Sequence, residues 1–300
     1  MADPKLRIKA SGYGGSGYYN PFTQERVIGV TTALGVLEKP GIPQWVADNT
    51  AAYAIANVDR LMQRSDEQGY NMLRFYHSRA KEKDFDDPEV DIHNYHEGVL
   101  HDASELGTVT HEWLEAFYND EFEPDIVREE QYQMIEKFLE WDAEHDVEVI
   151  QTEVTVFGPN YGGTADLYAY VDGVPTCLDF KTSRGVYTTA WGQLAALGAA
   201  HSMALEVPEK TATSKPYTAT RNGVKDTTHW EEHPLPAFEQ YAILHLRPDE
   251  IQNDGSLKPA FCNFRVVSQD KINRAYDLFQ ATVQARHVLY DLKKMEKEGW

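Results

Sequence analysis

The residues most open to a chemical reading lie in one short stretch. In TADLYAYVDGVPTCLDFK (164–181) the dipeptide Asp172-Gly173 separates two runs of strand-forming residues, a strong signal for a two-residue hairpin turn. Setting Val171 opposite Val174 and counting outward places Asp166 across from Asp179, with Cβ atoms about 4.5–5.5 Å apart. Lys181 shares that face, and Leu167, Ala169, Leu178 and Phe180 line the other. Facing carboxylates repel each other. A divalent ion such as Mg²⁺ or Mn²⁺ suits two hard oxygen donors. The ammonium beside them would orient a water or stabilise charge on a phosphate. Spacing alone also allows a second reading, in which both acids are solvated on an edge hairpin and Lys181 pairs with Asp179.

A histidine joins these candidates. GTVTHEWLE (107–115) sets His111 in an amphipathic helix with Glu115 one turn further on. Imidazole added to carboxylates favours Mn²⁺ over Mg²⁺. HNYHEG (93–98), with His101 nearby, is a competing histidine cluster; its spacing matches no ligand motif, and it reads as a solvated loop.

The elements that must position these groups follow from periodicity. The glycine- and tyrosine-rich opening, Ser11 to Tyr19, reads as a flexible arm whose Tyr13, Tyr18 and Tyr19 either stack on bases or pack inward. Helical spacing runs from Gln44 to about Arg64, from about Ser104 to Tyr118 and from Ile126 to His145. Residues 81–102 read as a polar loop. Strands are predicted over 147–157, 164–171 and 174–181, with a turn at 158–163. A helix over 186–205 follows, then strands over 242–247 and 260–267 and a long helix from about Asp270. This is an α/β chain with a mixed central sheet flanked by helices. Its expected division is an N-terminal arm and helical region (1–103) and a core (104–300).

Composition narrows the class. Two cysteines, Cys177 and Cys262, cannot supply a four-thiolate iron–sulfur cluster. No Walker A sequence is present, so ATP-driven chemistry is not expected. No G-x-S-x-G or C-x-x-C motif points to serine-hydrolase or thiol-redox chemistry. With no secretory signal pattern and no apolar run of membrane length, a cytoplasmic protein without a membrane role is expected. The net charge is −20, and residues 82–153 hold 24 of the acids against 3 basic residues. That segment would repel polyanions and could dock a protein partner. Contacts to nucleic acid would then fall elsewhere, on Arg184, Tyr187, Trp191, Lys215 or Arg221.

GTVTHEWLE (107–115), Glu153, GGTADL (162–167), LDFKTS (178–183) and WGQLAA (191–196) stand in the order found in RecB-like exonucleases, the Cas4-like branch of the PD-(D/E)xK nuclease superfamily. Over residues 104–200 the chain resembles the stand-alone nucleases of bacteriophages. The stretch GVTTALGVLEKPGIPQWVADN (29–49) and LHLRPD (244–249) extend the likeness. The resemblance implies a restriction-endonuclease-like core and a Mg²⁺- or Mn²⁺-dependent exonuclease acting on linear or single-stranded DNA in phage recombination, repair or replication. A structure-selective endonuclease and a DNA-binding accessory protein are the alternatives. It further implies His111, Asp166, Asp179 and the Phe180 carbonyl as metal ligands, Lys181 as the catalytic lysine and Gln193 as a positioning residue. Glu115, Glu153, Arg184 and Tyr187 are possible auxiliaries. Leu197 stands where the family has a tyrosine, with Tyr187 as a substitute for its hydroxyl, and the family's cluster-binding cysteines are missing.

Overall fold

Asp172 and Gly173 both take left-handed backbone angles, φ 52° and 79°, which match the twist of the strands they join. The computed structural model describes residues 7–10, 15–20, 23, 25–37, 39, 41–67, 95–205, 217–221, 224–228, 237–252 and 254–298. The turn links β5 (Tyr161–Val171) to β6 (Val174–Lys181), and the ladder runs from Val171↔Val174 to Leu167↔Leu178, the register expected from the sequence. The Asp172 carboxylate accepts the Asp146 N–H at 3.0 Å, and so ties the turn to the start of β4 (Val147–Phe157). β4 then pairs with the whole length of β5, from Val147↔Val171 to Phe157↔Gly162.

The N-terminal residues correct the reading of a flexible arm. β1 (Arg7–Ala10), β2 (Gly15–Asn20) and β3 (Glu25–Gly29) form antiparallel pairs, and β3 meets β5 in parallel at Ile28↔Tyr161 and Gly29↔Gly162. Tyr18 is buried and sits edge-on to Phe157, so this tyrosine packs inward. Tyr13 and Lys215 lie outside the described residues.

Because β4 occupies one edge of β5, β3 and β6 must share the other edge. β6 holds it as far as Leu167, and β3 holds it at Tyr161 and Gly162. Gly163 to Asp166 fall in the fork between them. Along its other edge β6 pairs in parallel with β9 (Gln240–Arg247), from Thr176↔Gln240 through Asp179↔Ile243 to Lys181↔His245. The antiparallel edge strand β12 (Phe261–Val266) completes the sheet. Two short pairs lie apart from it: β7 (Tyr217–Arg221) with β8 (Val224–Thr228), and β10 (Glu250–Ile251) with β11 (Leu257–Lys258).

Parallel strands need a crossover. Here it includes a helix over Thr188–Leu205 that packs on the sheet beside α1 (Val30–Leu34) and the C-terminal helix Gln269–Lys297. Ile28, Tyr161, Tyr168, Cys177, Leu194, Leu197, Ile243 and Phe279 form the core on this face. The other face is aromatic: Trp113, Phe117, Phe138, Trp141, Phe180 and Phe264 stack or meet edge to face. Those rings come from the C-terminal part of Tyr95–Tyr118, from Glu129–Glu144 and from β6 and β12.

The chain divides into two units, residues 1–37 with 109–300, and residues 38–108. The second contains α2 (Gly41–Ala56), α3 (Val58–Glu67) and the first turns of α4 (Tyr95–Tyr118). α4 thus begins nine residues ahead of the expected Ser104, and residues 95–102 are helix where a loop was expected. In chain order the later helices are α5 (Glu129–Glu144), α6 (Thr188–Leu205) and α7 (Gln269–Lys297). Among the described residues no helix is long and apolar enough to cross a membrane.

The approach of α6 to β9 depends on Gly198, where an added Cβ would lie 2.1 Å from Tyr241 Cε1. Gly198→Ala should lower unfolding stability by about 1–3 kcal/mol, the range for overpacking a tight core. Urea unfolding would register it, whereas an unchanged midpoint would place α6 farther from the sheet.

Candidate active site

The fork between β5 and β6 is where the acidic residues meet. Beyond Leu167 the Phe180 N–H donates to Asp166 Oδ2 at 2.7 Å, so the Asp166 carboxylate bridges the opening. Asp179 is 1% exposed and Lys181 20%, and the two form an ion pair through Asp179 Oδ2. β6 is an interior strand, held between β5 and β9. The solvated edge-hairpin reading is therefore excluded, although its Lys181–Asp179 pair is present.

α4 brings His111 to the same place. Thr110, Trp113, Leu114 and Ala116 bury one side of the helix, and Trp113 stacks on Phe117. His111 Nδ1 then lies 3.7 Å from Asp166 Oδ2, and its ring meets Phe180 edge-on. Burial, then the charge of Lys181, lowers the His111 pKa to about 4, against the opposing effects of Asp179 and a hydrogen bond to the Phe180 backbone. At neutral pH His111 is thus an uncharged imidazole, the form that binds metals.

Burial raises the pKa of both aspartates, with Lys181 opposing. Each acid also senses a like charge: Asp179 feels Asp166, and Asp166 feels Glu115. Burial alone would lower the Lys181 pKa, but the two aspartates reverse the effect and raise it. One ammonium therefore faces both aspartates.

A divalent cation fits this donor set. Asp179 Oδ1 is buried and meets no hydrogen-bond donor, while Oδ2 is committed to Lys181. Ligands about 2.0–2.2 Å from one ion lie about 3–4 Å apart, and the His111–Asp166 separation of 3.7 Å falls in that range. His111, Asp166, Asp179 and the Phe180 carbonyl could hold an ion there. Asp179 stands farther out than a closed shell requires. Among the described residues only His101, Asp102 and Glu105 bring three such donors within 4.8 Å of one another. That trio is exposed on α4 and already engaged in other contacts.

The remaining candidates are more scattered. Gln193 is half-buried near the start of α6, and among the described residues no hydrogen bond joins it to Lys181 or to either aspartate. Leu197 is buried in the core, where a Cβ on Gly163 would meet its Cδ2 at 2.6 Å. Arg184 is exposed and bonds Glu250. Tyr187 is exposed and close enough to Arg247 to influence its charge. Glu153 lies between the Thr152↔Leu167 and Val154↔Ala165 pairs, hence across β4 from Asp166, with a left-handed φ of 47°. Cys177 is buried, its thiol pKa raised by burial and then by Asp179 and Asp166.

Sequence reasoning missed the clamp behind Lys181. His245 Nε2 bonds the Ser183 carbonyl at 2.7 Å, and Arg247 Nη1 donates to the Thr182 carbonyl at 2.8 Å. LHLRPD (244–249) carried a weak signal through the resemblance, but nothing local ties it to a turn some 60 residues earlier. No family model matches the chain, and no curated protein matches it in sequence.

Two measurements test this geometry. Without metal, the contribution of Asp179 to stability is greatest in acid and lost as the pH rises through about 6, because its pKa is raised on folding. Lys181→Met removes its buried counter-charge and should cost about 3 kcal/mol at pH 8 in chelator, with the deficit shrinking as the pH falls and Asp179 takes up a proton. An equal deficit at pH 5 and pH 8 would remove Asp179 from the explanation. At position 153, glycine should be more stable than alanine by about 1 kcal/mol, because only glycine adopts a left-handed φ without strain. Alanine as the more stable variant would mean that Glu153 is not left-handed.

Proposed function

We propose that the protein is a divalent-metal-dependent deoxyribonuclease that hydrolyses phosphodiester bonds, acting as an exonuclease on DNA ends. One observation carries the reading: a buried and a half-buried carboxylate, a lysine and a neutral imidazole come together at the β5–β6 fork, and one Asp179 oxygen lacks a donor. The ordered likeness to RecB-like, Cas4-like nucleases supports the reading, as does a mixed sheet flanked by helices.

In this mechanism His111, Asp166, Asp179 and the Phe180 carbonyl would hold Mg²⁺ or Mn²⁺. A bound ion supplies Lewis acidity and a water of lowered pKa. The aspartates raise the Lys181 pKa, so it is charged at neutral pH. Its ammonium therefore stabilises charge on the phosphate and does not take a proton from water. The fork, held by the Phe180 N–H to Asp166 bond, keeps Asp166 out of the ladder beside Asp179. Gln193, on the crossover helix, is an uncharged partner suited to orienting substrate. The acidic segment packs in part as α4, α5 and β4, and residues 82–94 lie outside those described. Its exposed acids leave room for a protein partner.

The test compares end-labelled linear DNA, single- and double-stranded, with a closed circle of the same sequence. Wild type should degrade the linear forms in Mn²⁺, more slowly in Mg²⁺, without ATP and not in chelator. Asp179→Asn should be inactive, and Mn²⁺ should raise the melting temperature of wild type but not of Asp179→Asn. Cutting of the circle would favour the endonuclease reading. DNA retention without cleavage would favour the accessory protein, and neither would overturn the proposal.

A further inference from the structure

The ladder that places Lys181 beside His245 on β9 continues to Asn263 on β12, so one row of residues crosses from the candidate active site to the edge of the sheet. Cations gather along this row. Arg265 stands two residues from Asn263 on β12, Phe261 faces Arg247, and Lys258 lies over the Phe261 ring; burial, then these three cations, lower the His245 pKa against a hydrogen bond to the Ser183 backbone. Arg184 stands close enough to Arg247 to disfavour its charge in turn. In a chain of net charge −20 such a gathering is not a by-product of composition.

These cations are only partly neutralised. Glu250 takes the Arg184 Nε–H at 2.8 Å and lies 3.8 Å from Arg247. Arg265 and Lys258 are exposed and make no ion pair among the described residues; Lys258 lies over the Phe261 ring, 5.1 Å from its centroid. Nearby acids are turned to other uses. Asp249 accepts the Ala260 N–H, and Asp254 accepts from Ser256 beyond β10. The row is also fixed relative to Lys181, since His245 and Arg247 grip the Ser183 and Thr182 carbonyls.

We infer that the β9–β12 edge is a backbone-binding shelf, on which Arg265 and Lys258 contact the phosphates of the DNA strand that enters the Lys181 site. Like charges gathered around too few carboxylates repel one another, and a polyanion relieves that repulsion. Such contacts hold the strand's position without reading its sequence. The inference rests on the deoxyribonuclease reading above and extends it to how an acidic protein grips an acidic substrate.

Binding of a fluorescent oligonucleotide is measured in chelator, where cleavage is suppressed, over a series of salt concentrations. Lys258→Gln and Arg265→Gln should each weaken binding about sixfold at 0.1 M salt and reduce the slope of log K against log salt by about 0.7–0.9. The double variant should lose both increments. The variants' turnover of a small chromogenic phosphodiester in Mn²⁺ should stay at the wild-type level. Lys137→Gln, which removes a cation paired with Glu140 on α5, should leave the slope unchanged. A double variant with the wild-type slope overturns the shelf while leaving the nuclease reading intact, provided wild type still cuts DNA. A wild-type protein that neither binds nor cuts DNA overturns both.

Discussion

A buried carboxylate, Asp179, and a half-buried one, Asp166, share Lys181, and much of the architecture around the fork follows from that imbalance. An ionised group in the interior costs several kcal/mol unless it is paired. Asp179, 1% exposed, has Lys181 on one oxygen and no donor on the other. Asp166 spends one oxygen on a backbone N–H. Glu115 adds a third negative charge within range. A core optimised for stability alone would not gather these groups, so the arrangement points to a ligand that returns positive charge. The lowered pKa of His111 agrees, because a protonated imidazole would have neutralised the site without any ligand.

The fork depends on a chain of backbone decisions. β6 must part from β5 after Leu178 while β9 holds its other edge throughout, and that parallel pairing requires the α6 crossover. α6 must then lie close to the sheet, and Gly198 and Gly163 permit this where any side chain would strike Tyr241 or Leu197. Leu197 is therefore a packing residue. A tyrosine there would need room for a ring in a space that Gly163 has already closed down. The left-handed Glu153 marks the same region from the β4 side, where the ladder closes on both sides of Asp166. Strain of this kind persists when the surrounding pairs over-determine it.

What could be read from the sequence was what is local. Asp172-Gly173 and the apolar alternation set the β5–β6 register, and helical spacing marked the part of α4 that carries His111. Burial of the hairpin was not legible, because the strand that covers β6 arrives about 60 residues later. Residues 15–19 were misread for a related reason. Glycine lowers strand propensity, and their strand exists because β3 pairs with β5, more than 130 residues away. The start of α4 was missed because HEGVLHDASELG follows a polar, acidic run whose composition outweighed the helical spacing of Val99, Ala103 and Leu106. The clamp on Thr182 and Ser183 was invisible for want of any local motif around His245 and Arg247.

The placement of charge resolves an apparent conflict between an acidic chain and the acidic substrate proposed for it. Phe264 and Trp141 join α5 to one face of the sheet, and α5 carries Glu129, Glu130, Glu136, Glu140 and Glu144. By strand alternation, Lys181, His245 and Arg265 project from the opposite face. At physiological salt the Debye length is about 8 Å, less than the roughly 10 Å across which stacked layers pack. The acids on α5 are thus largely screened from a strand lying on the far side. Net charge governs the approach from a distance, and the local cations govern the grip. High net negative charge and phosphate binding can therefore coexist in one sheet, provided the sheet itself separates the two signs.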